Sequence, residues 1–160
     1  MIRKAKLSDM DRILEIYAAA REFMAANGNP GQWADGYPQP ELLAEDLEKE
    51  QLYVCETENG IGAAFVFFIG DEPDYHVVRD GAWLNDKPYG VLHRIAVAEY
   101  GKGLASICIQ WCYEQCGNMR GDTHELNKSM QRLFVKNGYT KCGIITIGAD
   151  GTDRIAYQKV

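Results

Sequence analysis

The chain is expected to fold as an α+β protein, with a mixed central β-sheet of about seven strands flanked by about four helices. Three observations give that class. Apolar β-rich runs alternate with stretches of helical period in the order β-α-α-β-β-β-α-β-α-β-β. The early strands are joined by short turns, with Asn59-Gly60 as a hairpin signal, so they should pair antiparallel. The strands near 91–97 and 119–123 are joined through a helix, which makes them parallel neighbours.

Each element has a local reason. Ile2 to Lys6 reads as a short opening strand. Ser8 is a candidate N-cap for a helix whose apolar residues Ile13, Leu14, Ile16, Tyr17, Phe23 and Met24 recur at helical spacing, ending by Asn27-Gly28. A Gly/Pro-rich loop with Trp33 and Tyr37 follows. Glu41 to Gln51 is a second helix, with Leu42, Leu43 and Leu47 on one side. Leu52–Glu56 and Ile61–Ile69 are strands. A long polar loop from Asp71 to Pro88 carries Tyr75, His76 and Trp83. Tyr89–Ala98 is a strand, Leu104–Cys116 a helix, Asn118–Thr123 a strand, and Asn127–Asn137 a helix closed by Gly138. Tyr139–Ile147 and Asp153–Lys159 complete the sheet around a turn at Ala149-Asp150-Gly151.

The 160 residues suffice for one domain with a real core, so 1–160 is read as a single domain. The net charge of −6, with no basic block, argues against nucleic-acid binding and mildly favours a neutral or cationic partner. The longest apolar run, Ile61–Ile69, is too short to cross a bilayer. No apolar h-region follows the basic N-terminal residues, and five cysteines is an odd number without scaffold density; both fit a reducing, cytoplasmic setting. A homodimer is compatible with these numbers.

The most informative stretch is the strand-to-helix junction Gly101-Lys102-Gly103-Leu104-Ala105-Ser106. Backbone N–H groups at a glycine-rich helix start, with the positive end of the helix dipole, make an anion site suited to a phosphate or pyrophosphate. GxGxxS, with Asp122 about twenty residues on, also approaches a dinucleotide fingerprint. Against that reading, Ala98, Glu99 and Tyr100 separate the strand from the first glycine, and an antiparallel meander precedes the unit.

HRIAVAEYGKGLAS resembles the signature of the GNAT family of N-acetyltransferases, in which a strand ending in an apolar-x-Val stretch precedes a loop of form (Gln/Arg)-x-x-Gly-x-(Gly/Ala). Asn127 to Tyr139, NKSMQRLFVKNGY, is similar to the family's second motif, Asn-x-x-Ala-x-x-Leu-Tyr-x-Lys-x-Gly-Phe. The element order is also the family's. Two departures stand out: Tyr100 replaces the usual Gln or Arg at the start of the loop, and Phe134 replaces a Tyr that often protonates the departing thiolate.

The resemblance implies the GNAT acyl-CoA N-acyltransferase fold, acetyl-CoA as co-substrate with no metal, and a primary amine as acceptor. A small molecule is the favoured acceptor. A protein N-terminus or lysine, or a non-catalytic acyl-CoA-binding module, is the alternative. It further implies that Ile95, Ala96 and Val97 pair with the pantetheine arm, with the Val97 N–H polarising the acetyl carbonyl. The loop amides of Tyr100, Gly101, Lys102, Gly103, Leu104, Ala105 and Ser106 would take the pyrophosphate, Asn127 would bond the pantetheine, and Phe134 and Lys136 are placed with the cofactor-binding residues.

Acetyl transfer needs a base, because a lysine-like ammonium is not nucleophilic. His93 is the candidate: it lies two residues before the pantetheine stretch, near where several family members keep a glutamate, and histidine titrates close to neutral pH. A histidine hydrogen-bonded within the sheet is the competing reading. Asp122 and His124 share one strand face and could orient each other or the amine; a strand-end network is the competing reading. Tyr89 or Tyr139 could donate the proton in place of the missing tyrosine. Trp33, Tyr37 and Trp83 could wall an amine site, or simply anchor their loops. Cys108, Cys112 and Cys116 lie on one helix face with Leu104, Ile107 and Trp111, which reads as core packing rather than a metal site.

Overall fold

A computed structural model describes residues 1–160. Its elements are β1 (Ile2–Lys4), α1 (Met10–Ala26), α2 (Pro40–Glu48), β2 (Leu52–Thr57), β3 (Gly60–Ile69), β4 (Gly90–Val97), α3 (Leu104–Cys116), β5 (Met119–Thr123), α4 (Lys128–Lys136), β6 (Thr140–Thr146) and β7 (Asp153–Lys159). The expected element order holds throughout. The seven strands form one mixed sheet in the order β1-β2-β3-β4-β5-β7-β6. β4 and β5 are parallel, with Gly90 opposite Met119 and Val91 opposite Arg120. The register ends there, so the ladder on that side of β4 does not extend over His93–Val97.

The chain divides into two compact units, Met1–Phe67 with His93–Ile109 and Phe68–Leu92 with Gln110–Val160. In the first, β1 and β2 pair antiparallel from Ile2 opposite Cys55, and β2 and β3 do so with a bulge between Cys55 and Glu56. α1 buries Ile13, Ile16, Tyr17 and Ala20, the i, i+3, i+4, i+7 stripe of a half-buried helix. Ser8 does not cap α1: it lies in a 3-10 turn, Leu7–Asp9, where Asp9 instead accepts the Lys6 N–H and pairs with Arg3 at 2.8 Å. α2 stops at Glu48, short of the expected Gln51, because Glu50 turns into the left-handed region at φ 57.

In the second unit β5 and β6 both pair antiparallel with β7. Its core gathers Tyr75, Val91, Cys142, Ile145 and Ala156, with Trp83 and Tyr89 packed against it. The polar 71–88 loop is pinned by a buried amide network. Asn118 Nδ2 donates to the Pro88 carbonyl, Gln158 Nε2 donates to Asn118 Oδ1 at 2.8 Å, and Gln158 Oε1 accepts the Leu84 N–H.

The cysteine face of α3 is core in its first part, at Cys108 and Cys112. Cys108, Ile109 and Cys112 are buried and Ile107 is half-exposed, while Cys116, expected on the same core face, is only half-buried. All five cysteines are free thiols. Burial, with Cys55 beside it, pushes the Cys108 thiol well above its ordinary range, which keeps it unreactive.

Candidate active site

The glycine loop of the first unit is built as an open cradle. Gly101 and Gly103 have φ of 80° and 75°, which an L side chain resists. A Cβ at either would meet no protein atom within 4 Å, so packing does not require glycine there. Backbone conformation does, and the space beyond is open to an approaching group. α3 begins at Leu104, its first bond running from the Ile107 N–H to the Gly103 carbonyl at 3.1 Å. The first-turn N–H groups of any helix lack an intrahelical acceptor and carry the positive end of the dipole.

Three contacts fix this loop. The Ala98 N–H donates to Gly62 O at 2.8 Å. Leu104 Cδ1 would lie 2.7 Å from a Cβ at Gly62, so the absent side chain there admits Leu104. Between them, the Tyr100 ring stacks on Phe23 of α1, with centroids 3.7 Å apart and planes at 15°. Counted back from Gly101 and Gly103, the first position of the loop signature is Ala98 rather than Tyr100; Tyr100 occupies its third position.

On β4, His93, Arg94 and Ile95 are half-buried. Arg94 carries φ 52, a conformation that a residue other than glycine holds only when its surroundings enforce it. The enforcement is visible: the buried Tyr17 hydroxyl donates to the Arg94 carbonyl at 2.6 Å. The Arg94 guanidinium meets Asp46 of α2 at 2.7 Å and donates to the Tyr37 hydroxyl at 3.0 Å. Burial opposes the Arg94 charge, but Tyr37 and Asp46 outweigh it and raise its pKa. Trp33 is buried against Tyr17, with centroids 5.6 Å apart, so it anchors its loop. Sequence reasoning missed Tyr17, Asp46 and Arg94. The one available signal was Asp46 on the buried side of α2, three residues after Leu43.

In the second unit, Asp122 of β5 accepts the Tyr75 hydroxyl at 2.6 Å. That length belongs to a charge-assisted O–H···O⁻ bond. Burial, together with the Asp122 charge, drives the Tyr75 pKa well up, so the proton stays on the phenol. Trp83 Nε1 donates to the Tyr75 carbonyl at 2.8 Å. Trp83 and Tyr89 sandwich the Arg120 guanidinium at 4.3 and 4.1 Å. Their ring faces are thus engaged in cation–π contacts that fasten the loop. The Tyr89 hydroxyl accepts the Glu72 N–H and donates to Asp71. His124 Nδ1 accepts the Leu126 N–H at 3.1 Å. Burial first, then Arg154, lowers the His124 pKa.

Asn127 caps α4, its Oδ1 accepting the Met130 N–H at 3.0 Å. Phe134 is a core residue: it stacks on Tyr157 at 4.7 Å and lies over Gly121, where a Cβ would come within 2.8 Å of its ring. Tyr139 is buried beside Phe134 with its hydroxyl lacking a hydrogen-bond partner. Lys102 and Lys136 are exposed.

A mixed seven-stranded sheet with a glycine cradle opening the helix after β4 defines an α+β protein with an open loop at a helix start. No family model matches the chain, and no curated protein does. Solved structures do. An acetyltransferase of the GNAT family from Streptococcus agalactiae 2603 is 33% identical with a TM-score of 0.92, over 100% of this chain and 94% of that one. A ribosomal-protein-alanine N-acetyltransferase from Brucella melitensis is 18% identical with a TM-score of 0.69, over 100% and 99%. A GNAT superfamily phosphinothricin acetyltransferase from Sinorhizobium meliloti, solved with acetyl-CoA, is 14% identical with a TM-score of 0.65, over 99% and 86%. The last two likenesses are of fold. On the first, the chain belongs to the GNAT family of acetyltransferases.

Proposed function

We propose that this chain binds acetyl-CoA and transfers its acetyl group to a primary amine of a small molecule. The observation that carries the reading is the open glycine cradle at the start of α3, in a chain that belongs to the GNAT family. The family fold holds acetyl-CoA in the Sinorhizobium meliloti protein. Here the amides from Gly101 to Ser106 would take the pyrophosphate, with Lys102 of the same loop beside its charge. The β4 stretch Ile95–Val97, beyond the end of the ladder with β5, would pair with the pantetheine arm.

In the reaction the amine nitrogen attacks the thioester carbon, and its proton passes to His93 directly or through water. The carbonyl oxygen becomes an oxyanion, for which the Val97 N–H is the donor. The C–S bond then breaks and CoA leaves as the thiolate. A thiolate is a competent leaving group near neutral pH and takes its proton from solvent. No side chain is assigned the acid role, since the Tyr139 hydroxyl is buried and the Tyr89 hydroxyl is engaged with Asp71 and Glu72.

His93→Gln tests the base: kcat should fall about 10²–10⁴-fold, with the KM for acetyl-CoA little changed. Unchanged turnover would remove His93 from the role. A protein N-terminus or lysine is the competing acceptor. Comparing free amines with N-terminal and lysine peptides at saturating acetyl-CoA separates the two.

A further inference from the structure

We infer that the Tyr100–Phe23 stack is a positioning device that holds the glycine loop in its anion-binding shape before CoA arrives. The inference rests on the acetyl-CoA reading above and adds two residues to it. The loop needs such a device. Gly101 and Gly103 both sit in the left-handed region with open space around them, so they impose little shape of their own. The loop is tied at its entrance by the Ala98 N–H on Gly62 O, and at its exit by Leu104 over Gly62. Tyr100 lies between those ties, next to the first glycine.

The geometry is that of an anchor. The centroid separation of 3.7 Å and the 15° tilt put the rings in close, near-parallel contact. Tyr100 is nevertheless 45% exposed. A surface aromatic in an otherwise polar loop gains only from its partner, and Phe23 belongs to α1, a seventeen-residue helix fixed by buried Ile13, Ile16, Tyr17 and Ala20. The stack thus transfers the rigidity of α1 to the residue that precedes Gly101. A loop ordered beforehand spares the ligand the entropy of ordering it, which appears as affinity. The phenol oxygen has no part in this, so the ring alone should suffice.

The test uses the full chain, with CoA itself as the probe. Tyr100→Ala and Phe23→Ala should each weaken CoA binding by about tenfold in calorimetric titration. The double variant should be no weaker than either single one, because both remove the same contact. Tyr100→Phe should stay within about twofold of the parent. A second readout needs no CoA: the heteronuclear NOE of the Gly101–Ser106 amides should fall in both alanine variants and be retained in Tyr100→Phe. Additive losses of affinity, or loop amides equally rigid in all variants, would overturn the stack. A parent chain that does not bind CoA, yet whose loop loosens in the alanine variants, would instead overturn the acetyl-CoA reading and leave the loop's anchor standing.

Discussion

His124 is held neutral by its surroundings. Burial and then Arg154 lower its pKa, and its Nδ1 already accepts the Leu126 N–H. The unfolded ring titrates near 6.5. As pH falls below that value, the unfolded chain therefore binds more protons, and His124's share of stability is lost as pH drops through the depressed folded value. An NMR titration of the ring should give a midpoint below 6.5 that rises in Arg154→Gln; a midpoint at or above 6.5 would contradict this. Tyr75 illustrates a different residue-scale effect. Tyr75→Phe keeps the ring packing and deletes one charge-assisted hydrogen bond, so it should cost about 1.5 kcal/mol in urea denaturation, the low end because the carboxylate is only half-buried and water can resolvate it. No loss would mean that the bond is idle.

At the scale of elements, side-chain pairs hold strands and loops in shape. Asp46 on α2 is nearly buried, and it neutralises Arg94 on β4. Asp46→Asn leaves that guanidinium without a counter-charge, and stability should fall by about 3 kcal/mol. An unchanged melting curve would show that the pair is dispensable. Gly121→Ala places a methyl against the Phe134 ring and should cost about 1–3 kcal/mol. Phe134→Leu in the same chain should recover part of that loss, since the two share one contact. Elements fenced by glycines were the most legible in the sequence: α3 runs from Leu104 to Cys116 as expected, between Gly103 and Gly117, both at positive φ. The partners of Arg94, Arg120 and Asp122 were not legible, because each is chosen by a residue far along the chain. Trp83, for example, reads in the sequence as an amine wall or a loop anchor, and its cation–π contact with Arg120 depends on a residue far along the chain.

For the whole molecule, the two motifs that flank α3 made the fold readable: the glycine loop before it and the Asn127–Tyr139 segment after it. The chemistry was less readable, because the second motif's Phe134 and Tyr139 turn inward while Asn127 caps a helix. Ligand binding can be tested on the intact chain. Acetyl-CoA at about a hundred times its Kd should add about 2.7 kcal/mol of stability. For a chain of 160 residues that raises Tm by about 5–10 °C. Stabilisation by NAD without any by acetyl-CoA would return the loop to the dinucleotide reading. The most direct test of the central claim is thiol release from acetyl-CoA across a panel of small primary amines, with N-terminal and lysine peptides alongside. The expected result is free CoA formed in step with an N-acetylated small amine. Acetyl-CoA bound, with no thiol released for any acceptor, would contradict it.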